Sequence, residues 1–462
     1  MKFLPVAYAI FAFSLTQLIT AQQAADHTIA TTKLAEKGAA TESPVKNAGQ
    51  DRRPSDELNA QLPKWLRFSG QIRLRAEGFT GSGFKRDSDD AYVLERLRLN
   101  MRIAPARWLK LFLQGEDAHI LGQSQLLPVP PNQDSMDLRL AYIELGEPGE
   151  KHFGLRLGRQ ELDFGEQRLL GSANWINTPR SFDAVRGTWR SAGFRLDTFA
   201  GSLVKPHDNQ FNEATPGSNI YGVYTVFSHL IPKSRFEPYL FWRRQSGLLT
   251  ENKLGGIANF GTYGFRWKGK FAGDWDYGAE IAKQRGSLGA DSINAWAGHW
   301  VVGRTFSRLR AKPRFFAEHN YASGDHNPAD GVRGTFDQLF ASAHDLYGLT
   351  DQVGWKNIRH VRVGAEMKPR ANLSIGARYN AYWLADRHDA LYSAAGTALA
   401  RSASGTASSY VGNELDFVMS HQFAKRTLFL GGIGHLFPGT FLKRTTPGVG
   451  FTYPYLSMNY LF

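Results

Sequence analysis

Three features of the sequence predict an all-β protein, a transmembrane antiparallel β-barrel of about eighteen strands with an arginine-rich, water-filled lumen. Short segments alternate with period two between an apolar face and a hydrophilic face that repeats arginine. The connections between them are short and long in turn, and the last segment alternates up to an aromatic terminal residue. An outward apolar band, a polar interior and unequal loops at the two ends are the pattern of a membrane barrel.

The chain opens with Met1-Lys2 and a mostly apolar run from Phe3 to Ile19 that ends near Thr20-Ala21-Gln22. This predicts a secretory signal peptide over 1–21, cleaved after Ala21. Pro5, Ser14, Thr16 and Gln17 interrupt the run and argue against a permanent anchoring helix. The sequence has no cysteine, which excludes disulfides and N-terminal lipidation. No later stretch approaches eighteen apolar residues and mean hydropathy is −0.36, so no transmembrane helix follows the signal. Residues 22–64, rich in Ala, Thr, Lys, Glu and Gln without a sustained period, predict a disordered periplasmic leader. The barrel is expected over 65–462.

From Trp65 onward the alternation begins. Phe68, Gly70, Ile72, Leu74 and Ala76 share one face, opposite Ser69, Gln71, Arg73 and Arg75. Val93, Leu97, Leu99, Met101 and Ile103 oppose Arg96, Arg98, Asn100 and Arg102. Val361, Val363, Ala365 and Met367 oppose Arg362, Gly364 and Glu366, and Leu373 to Trp383 repeats the pattern with Arg378 and Asn380. Strands are expected near 65–77, 91–104, 107–119, 136–146, 152–160, 181–190, 193–203, 218–228, 235–245, 258–268, 274–284, 291–302, 313–322, 356–367, 372–383, 410–421, 426–436 and 449–462. An even number lets both ends of the barrel lie in the periplasm. Pro105-Ala106, Ser191-Ala192 and Lys368–Ala371 are short turns, whereas 161–180, 323–355 and 384–409 are long loops. In the last segment Leu456, Met458, Tyr460 and Phe462 share a face, as expected of a closing strand read by barrel-assembly machinery.

Net charge is +13, and only Lys2 of it lies in the signal. Residues 22–64 carry six basic and six acidic side chains, so the +12 remainder sits in residues 65–462. A basic excess favours polyanions, namely nucleic acid, anionic lipid or an acidic polysaccharide; export sets nucleic acid aside. By phase, Arg73, Arg75, Arg96, Arg98, Arg102, Arg139, Arg186, Arg314, Arg362 and Arg378 point inward. Glu77, Glu116, Glu318, Glu366, Glu414 and Asp416 share that face. Some of these residues fill the barrel as salt-bridge ladders, but the acids are too few to cancel the arginines. A guanidinium offers a planar, permanently charged fork to a carboxylate.

The stretch from Leu157 to Arg186 mixes Arg, Asn, Gln, Asp and Trp. That composition suits sugar contacts and also a loop that only constricts the lumen, and constriction with substrate contact is the expectation. Asp325-His-Asn-Pro-Ala-Asp330-Gly331 has oxygens near calcium-loop spacing but carries Phe336 where the twelfth-position Glu belongs. A turn-rich loop is the simpler reading, and no metal site is assigned. No Gly-x-Ser-x-Gly, His-Glu-x-x-His or Walker sequence occurs, so neither catalysis nor a redox cofactor is expected.

Several runs resemble the alginate export family of outer-membrane porins. They are Trp65-Leu-Arg-Phe68, Glu95-Arg-Leu-Arg-Leu-Asn100, Leu155-Arg-Leu-Gly-Arg-Gln160 and Asn177-Thr-Pro-Arg-Ser-Phe-Asp-Ala-Val-Arg186, then Tyr321–Pro328, Gly334–Phe340, Trp383–Asp389 and Gly434–Leu442. The resemblance spans roughly 65–462. It implies an eighteen-stranded monomeric barrel whose basic constriction conducts an anionic polyuronate outward. On matching positions it implies pore residues Arg75, Arg98, Arg139, Arg159, Asp163, Asp183, Arg186 and Arg362. Strand phase puts Arg159 on the outer face, so either a bulge follows Leu157 or that assignment fails. The expected partners are an alginate-like polysaccharide, outer-membrane lipid and, as candidates, periplasmic export proteins. An uptake porin for small anions, an outer-membrane enzyme with a nucleophile–base pair at the rim, and a structural barrel blocked by its loops are the rival readings.

Overall fold

The computed structural model describes residues 54–122, 128–147, 152–228, 230–402 and 404–462. The expected signal peptide and the leader up to residue 53 lie outside the described residues. Eighteen long strands make one closed antiparallel sheet. They are β1 Leu66–Phe79, β2 Asp90–Ala106, β3 Leu109–Leu121, β4 Asp134–Gly146, β5 Phe153–Gln160, β6 Phe182–Ser191, β7 Phe194–Lys205, β8 Glu213–Phe227 and β9 Ser234–Leu249. The circuit continues through β10 Gly255–Phe271, β11 Trp275–Leu288, β12 Asp291–Thr305, β13 Arg314–Ala322, β14 Ile358–Arg370, β15 Leu373–Leu384, β16 Tyr410–Ala424, β17 Thr427–Pro438 and β18 Phe451–Leu461.

Each strand pairs with the next, and β18 returns to β1, setting Gln71 opposite Leu461 and Glu77 opposite Tyr455. Closure removes the strand edge that lipid could not solvate. The alternation read from the sequence is the one that folds. Leu74, Val93, Leu99, Val361, Val363 and Tyr379 are exposed on the outside, while Arg73, Arg75, Arg96, Arg98 and Arg362 are buried within. Register sets Arg73 beside Arg96 and Gln71 beside Arg98, so arginines gather across strands as well as along them. One turn moves: β2 runs on to Ala106 through an irregularity after Ile103, and the β2–β3 turn is Arg107-Trp108 rather than Pro105-Ala106.

Two expectations are corrected. The leader is not disordered to residue 64, because Pro54–Gln61 forms a helix, α1. Asn59 holds it against the start of β1, donating to Phe68 O (2.7 Å) and accepting from Phe68 N (2.8 Å), and Asp56 pairs with Arg426. Nor is the whole lumen water-filled. The long loops 161–181, 323–357 and 385–409 fold inward, and Leu162, Leu170, Phe336, Tyr347, Trp355 and Leu391 pack against the wall residues Phe182, Phe241 and Tyr382 in one apolar core. Two of the loops pair like strands, Phe340 N donating to Leu169 O (2.9 Å) and Gly171 N to Phe340 O (3.0 Å). The apolar residues of these loops have no period, so alternation could not reveal them.

Candidate functional site

Below the inward loops the barrel holds a cavity of about 2950 Å³. Its mouth is at the short-turn end, where Arg67, Arg107, Ser191–Gly193 and Lys425 line it; its roof is built from Ala173–Ile176, Ala341–Leu346 and Ser393–Ala395. Among the described residues, twenty-one lysine and arginine side chains line this space against ten aspartates and glutamates. Strand alternation places most of them, because every second residue of β1–β6 and of β9–β10 faces inward.

Two groups stand out among the lining arginines. Those of β1–β4 nearest the loops are almost fully buried and hold loop 161–181 in place. Arg73 donates to Asn174 O (2.9 Å), Ile176 O (3.1 Å) and Asn177 Oδ1 (3.0 Å). Arg96 reaches the same two carbonyls at 3.2 and 3.1 Å. Arg98 pairs with Glu116 at 2.6 Å and donates to Asn174 Oδ1 at 3.0 Å. Arg75 bonds Trp175 O and Glu77, and its guanidinium lies 4.0 Å above the Trp175 ring. Arg139 bonds Gln114 Oε1 (2.6 Å) and pairs with Glu161. A hydrogen bond with one charged partner contributes about 1.5–3 kcal/mol net, so this ladder fixes the loop firmly. Asn177 completes the seat: its amide nitrogen lies 2.9–3.1 Å from Glu95 O, His119 O and Asn132 O.

The second group lies nearer the mouth on β5, β6 and β10 and is braced by carboxylates. Arg156 pairs with Glu144 at 2.7 Å and Arg186 with Asp197 at 2.9 Å. Arg266 pairs with Glu237 at 2.9 Å and with Glu166 of the loop. Burial works against the Glu166 charge, yet Arg266 and Arg168 prevail and hold its carboxyl below the usual range. Asp163 in the same loop behaves oppositely. Burial, then neighbouring Glu161, pushes its carboxyl up to about 7, although Ser172 donates to both its oxygens.

Of the residues expected at the pore, Arg75, Arg98, Arg139, Asp163 and Arg186 line the cavity. Arg362 is buried behind the loops, donating to Asn380 Oδ1 (2.7 Å) and Asp345 O (3.2 Å), and is not part of the cavity wall. Arg159 and Asp183 correct the family-based assignment. They pair with each other at 2.8 Å on the side shared with the exposed Val185 and Trp189. Register is unbroken through Leu157, Gly158 and Arg159 on both neighbours, so no bulge turns Arg159 inward. Arg156, Arg266 and Lys268 were missed, although each alternates with outward apolar residues: Leu155 and Leu157, or Phe265 and Trp267. In the Asp325–Gly331 loop the carboxylates serve turns, Asp325 accepting from Asn327 N (3.2 Å) and Asp330 from Val332 N (2.8 Å).

Comparison with known proteins agrees with this architecture. The barrel is similar to Pseudomonas aeruginosa outer-membrane protein OpdK, with TM-score 0.58 and 14% identity over 86% of this chain and 98% of that one. OpdK solved with vanillate gives 0.57 and 13% over the same shares, and P. aeruginosa OccK8 (OprE) gives 0.57 and 12%, again over 86% and 98%. These likenesses establish the fold of an outer-membrane porin. No curated protein sequence matches the chain. The family model described as "Alginate export" matches residues 64–452, most of the chain's length, and with a closed barrel around a basic lumen the protein is an outer-membrane channel that belongs to the alginate export family.

Proposed function

We propose that this channel passes an anionic exopolysaccharide, an alginate-like polyuronate, outward through its basic lumen. The observation that carries the reading is the cavity wall, with twenty-one basic against ten acidic side chains among the described residues. Such an excess inside low-dielectric walls concentrates a polyanion. A polyuronate bears a carboxylate on every ring, and a guanidinium fork fits it. Because Arg156, Arg186 and Arg266 already share acidic partners, each new contact exchanges with an old one, which lets a chain slide instead of sticking. Passage requires loop 161–181 to yield, since Asn174–Ile176 roofs the cavity.

A second reading, passage of small carboxylates, is favoured by the inward loops, which narrow the lumen, and by OpdK, which was solved with vanillate. Planar-bilayer recording separates the two. Uronate oligomers should block current at lower concentration than neutral glucans of equal length, and reversal potentials should favour anions. Screening acts over about 8 Å at physiological salt, so selectivity should weaken as salt rises. Equal block by uronates and glucans would sink the electrostatic filter. Flux of small carboxylates with complete exclusion of oligomers would select the second reading.

A further inference from the structure

Outside the lumen, the loops that follow β13 and β15 bring His326, Asp386 and His388 together, with their ligand-capable atoms all within 4.8 Å. Nδ1 of His326 lies 2.9 Å from one Asp386 oxygen, and Nδ1 of His388 lies 2.9 Å from the other. The two rings meet edge to face at 4.7 Å. None of the three lines the cavity.

Two imidazoles and one carboxylate make the donor set of borderline divalent cations; calcium and magnesium favour oxygens alone. With bonds of about 2.0–2.2 Å, neighbouring ligand atoms of a tetrahedron stand about 3.3 Å apart, so the present contacts need open only slightly to admit an ion. The surroundings orient the ligands as a metal site's outer shell does. Asp386 N donates to Asn357 Oδ1 (2.8 Å), and Asn357 Nδ2 returns a bond to Asp386 O (3.0 Å). Asn357 is wholly buried and lies in the same loop as His326. His388 N donates to Asp386 (2.9 Å). Gly405 presses on the His388 ring so closely that a Cβ there would sit 2.2 Å from Cδ2. The His326 side chain is 80% exposed, leaving an entry path and room for water as a fourth ligand.

We propose that His326, Asp386 and His388 form a site for a zinc-class divalent cation that staples two of the three loops roofing the lumen. The neutral imidazoles and the carboxylate would leave the occupied site with one net positive charge. In the absence of an ion, the carboxylate shared by two imidazoles holds the same geometry more loosely.

The test is titration of untagged, detergent-purified full-length protein with Zn2+, Co2+ and Ca2+. One Zn2+ per chain, the visible absorption of tetrahedral Co2+, and no competition from Ca2+ are expected. Zn2+ should also raise the thermal midpoint. His326→Ala should fold normally, since that ring is exposed, and unheated gel mobility checks this. Losing a ligand should weaken binding by more than the about 10–100-fold typical of losing an outer-shell partner. His326→Ala/His388→Ala should abolish the site. No saturable site in the wild-type protein, unchanged affinity in His326→Ala, or equal competition by Ca2+ would each overturn the proposal.

Discussion

The indole of Trp175 lies flat on the imidazole of His344, with ring centroids 3.8 Å apart and planes 7° from parallel. Arg75 covers the indole at 4.0 Å, and Tyr455 meets it edge-on at 4.8 Å. One side chain thus joins loop 161–181 to loop 323–357 and to the wall. Ring stacking adds about 0.5–1.5 kcal/mol beyond burial, and a desolvated cation–π contact adds about 2 kcal/mol. Trp175→Ala should loosen the roof without harming assembly, raising single-channel conductance and flicker in bilayer recordings. Unchanged traces would mean that the backbone ties to Arg73 and Arg96 hold the loop unaided.

Acidity should tighten the same loop. Burial, then Glu161, raises the Asp163 carboxyl from 3.8 to about 7. An acid whose pKa is higher in the folded state favours folding while it is protonated there. Its contribution is complete below 3.8, is lost progressively as pH rises toward about 7, and is constant above that. Open probability should therefore increase between pH 5 and pH 7, both approximate settings within that linkage window. Asp163→Asn should flatten the profile near its acidic limit. A wild-type profile already flat over that range would show that the raised carboxyl does not govern the loop.

How far the sequence reaches is set by periodicity. Arg73, Arg75, Arg96 and Arg98 are legible because a two-residue period has one buried face, and Leu99 marks the other. Arg159 shows the value of trusting phase, for it lies outward beside Asp183. Leu162, Phe336 and Trp355 carry no period and bury themselves only when three distant loops meet. Composition could suggest a constricting loop between Leu157 and Arg186, but not the apolar packing of the roof nor the main role of Arg73 and Arg96, which hold backbone carbonyls. Asn177 stands within a family-like run, but its contacts with three carbonyls from three segments arise only in the fold.

Inside and outside can be tested at adjacent sites. Leu99 is 48% exposed on the outer wall, and Leu99→Arg should cost about 2–4 kcal/mol near the bilayer midplane, lowering the heat-modifiable fraction. Lys268 lines the cavity, so Lys268→Glu should assemble normally and reduce anion preference. Arg98→Glu is the harsher lumen change. It sets a second carboxylate against Glu116, which Arg98 now neutralises at 2.6 Å, and losing one partner of a buried pair costs about 3–5 kcal/mol. Normal assembly of Leu99→Arg with failure of Lys268→Glu would reverse the inside–outside assignment.

The closing seam between β1 and β18 ends on a close fit between Gly70 and Phe462. Their backbones exchange two hydrogen bonds, Gly70 N to Phe462 O at 2.7 Å and Phe462 N to Gly70 O at 3.0 Å. The Phe462 ring occupies the space a side chain would need, since a Cβ on Gly70 would lie 2.2 Å from its Cζ and 2.8 Å from Arg98 O. The ring can swing aside, but the carbonyl belongs to the neighbouring strand and cannot move without disturbing the β1–β2 ladder. Gly70→Val should therefore impair closure more than Gly70→Ala, and deleting Phe462 should impair it by a separate route, through loss of both backbone bonds. The measurement is the fraction of protein that migrates as a compact species without heating, taken from isolated outer membranes. Combining Gly70→Ala with Phe462→Ala removes the ring that the new Cβ would strike, so the double variant should assemble better than the sum of the single losses predicts. Strict additivity would place the cost of Gly70→Ala at the Arg98 carbonyl instead, and would leave Phe462 acting through its backbone alone.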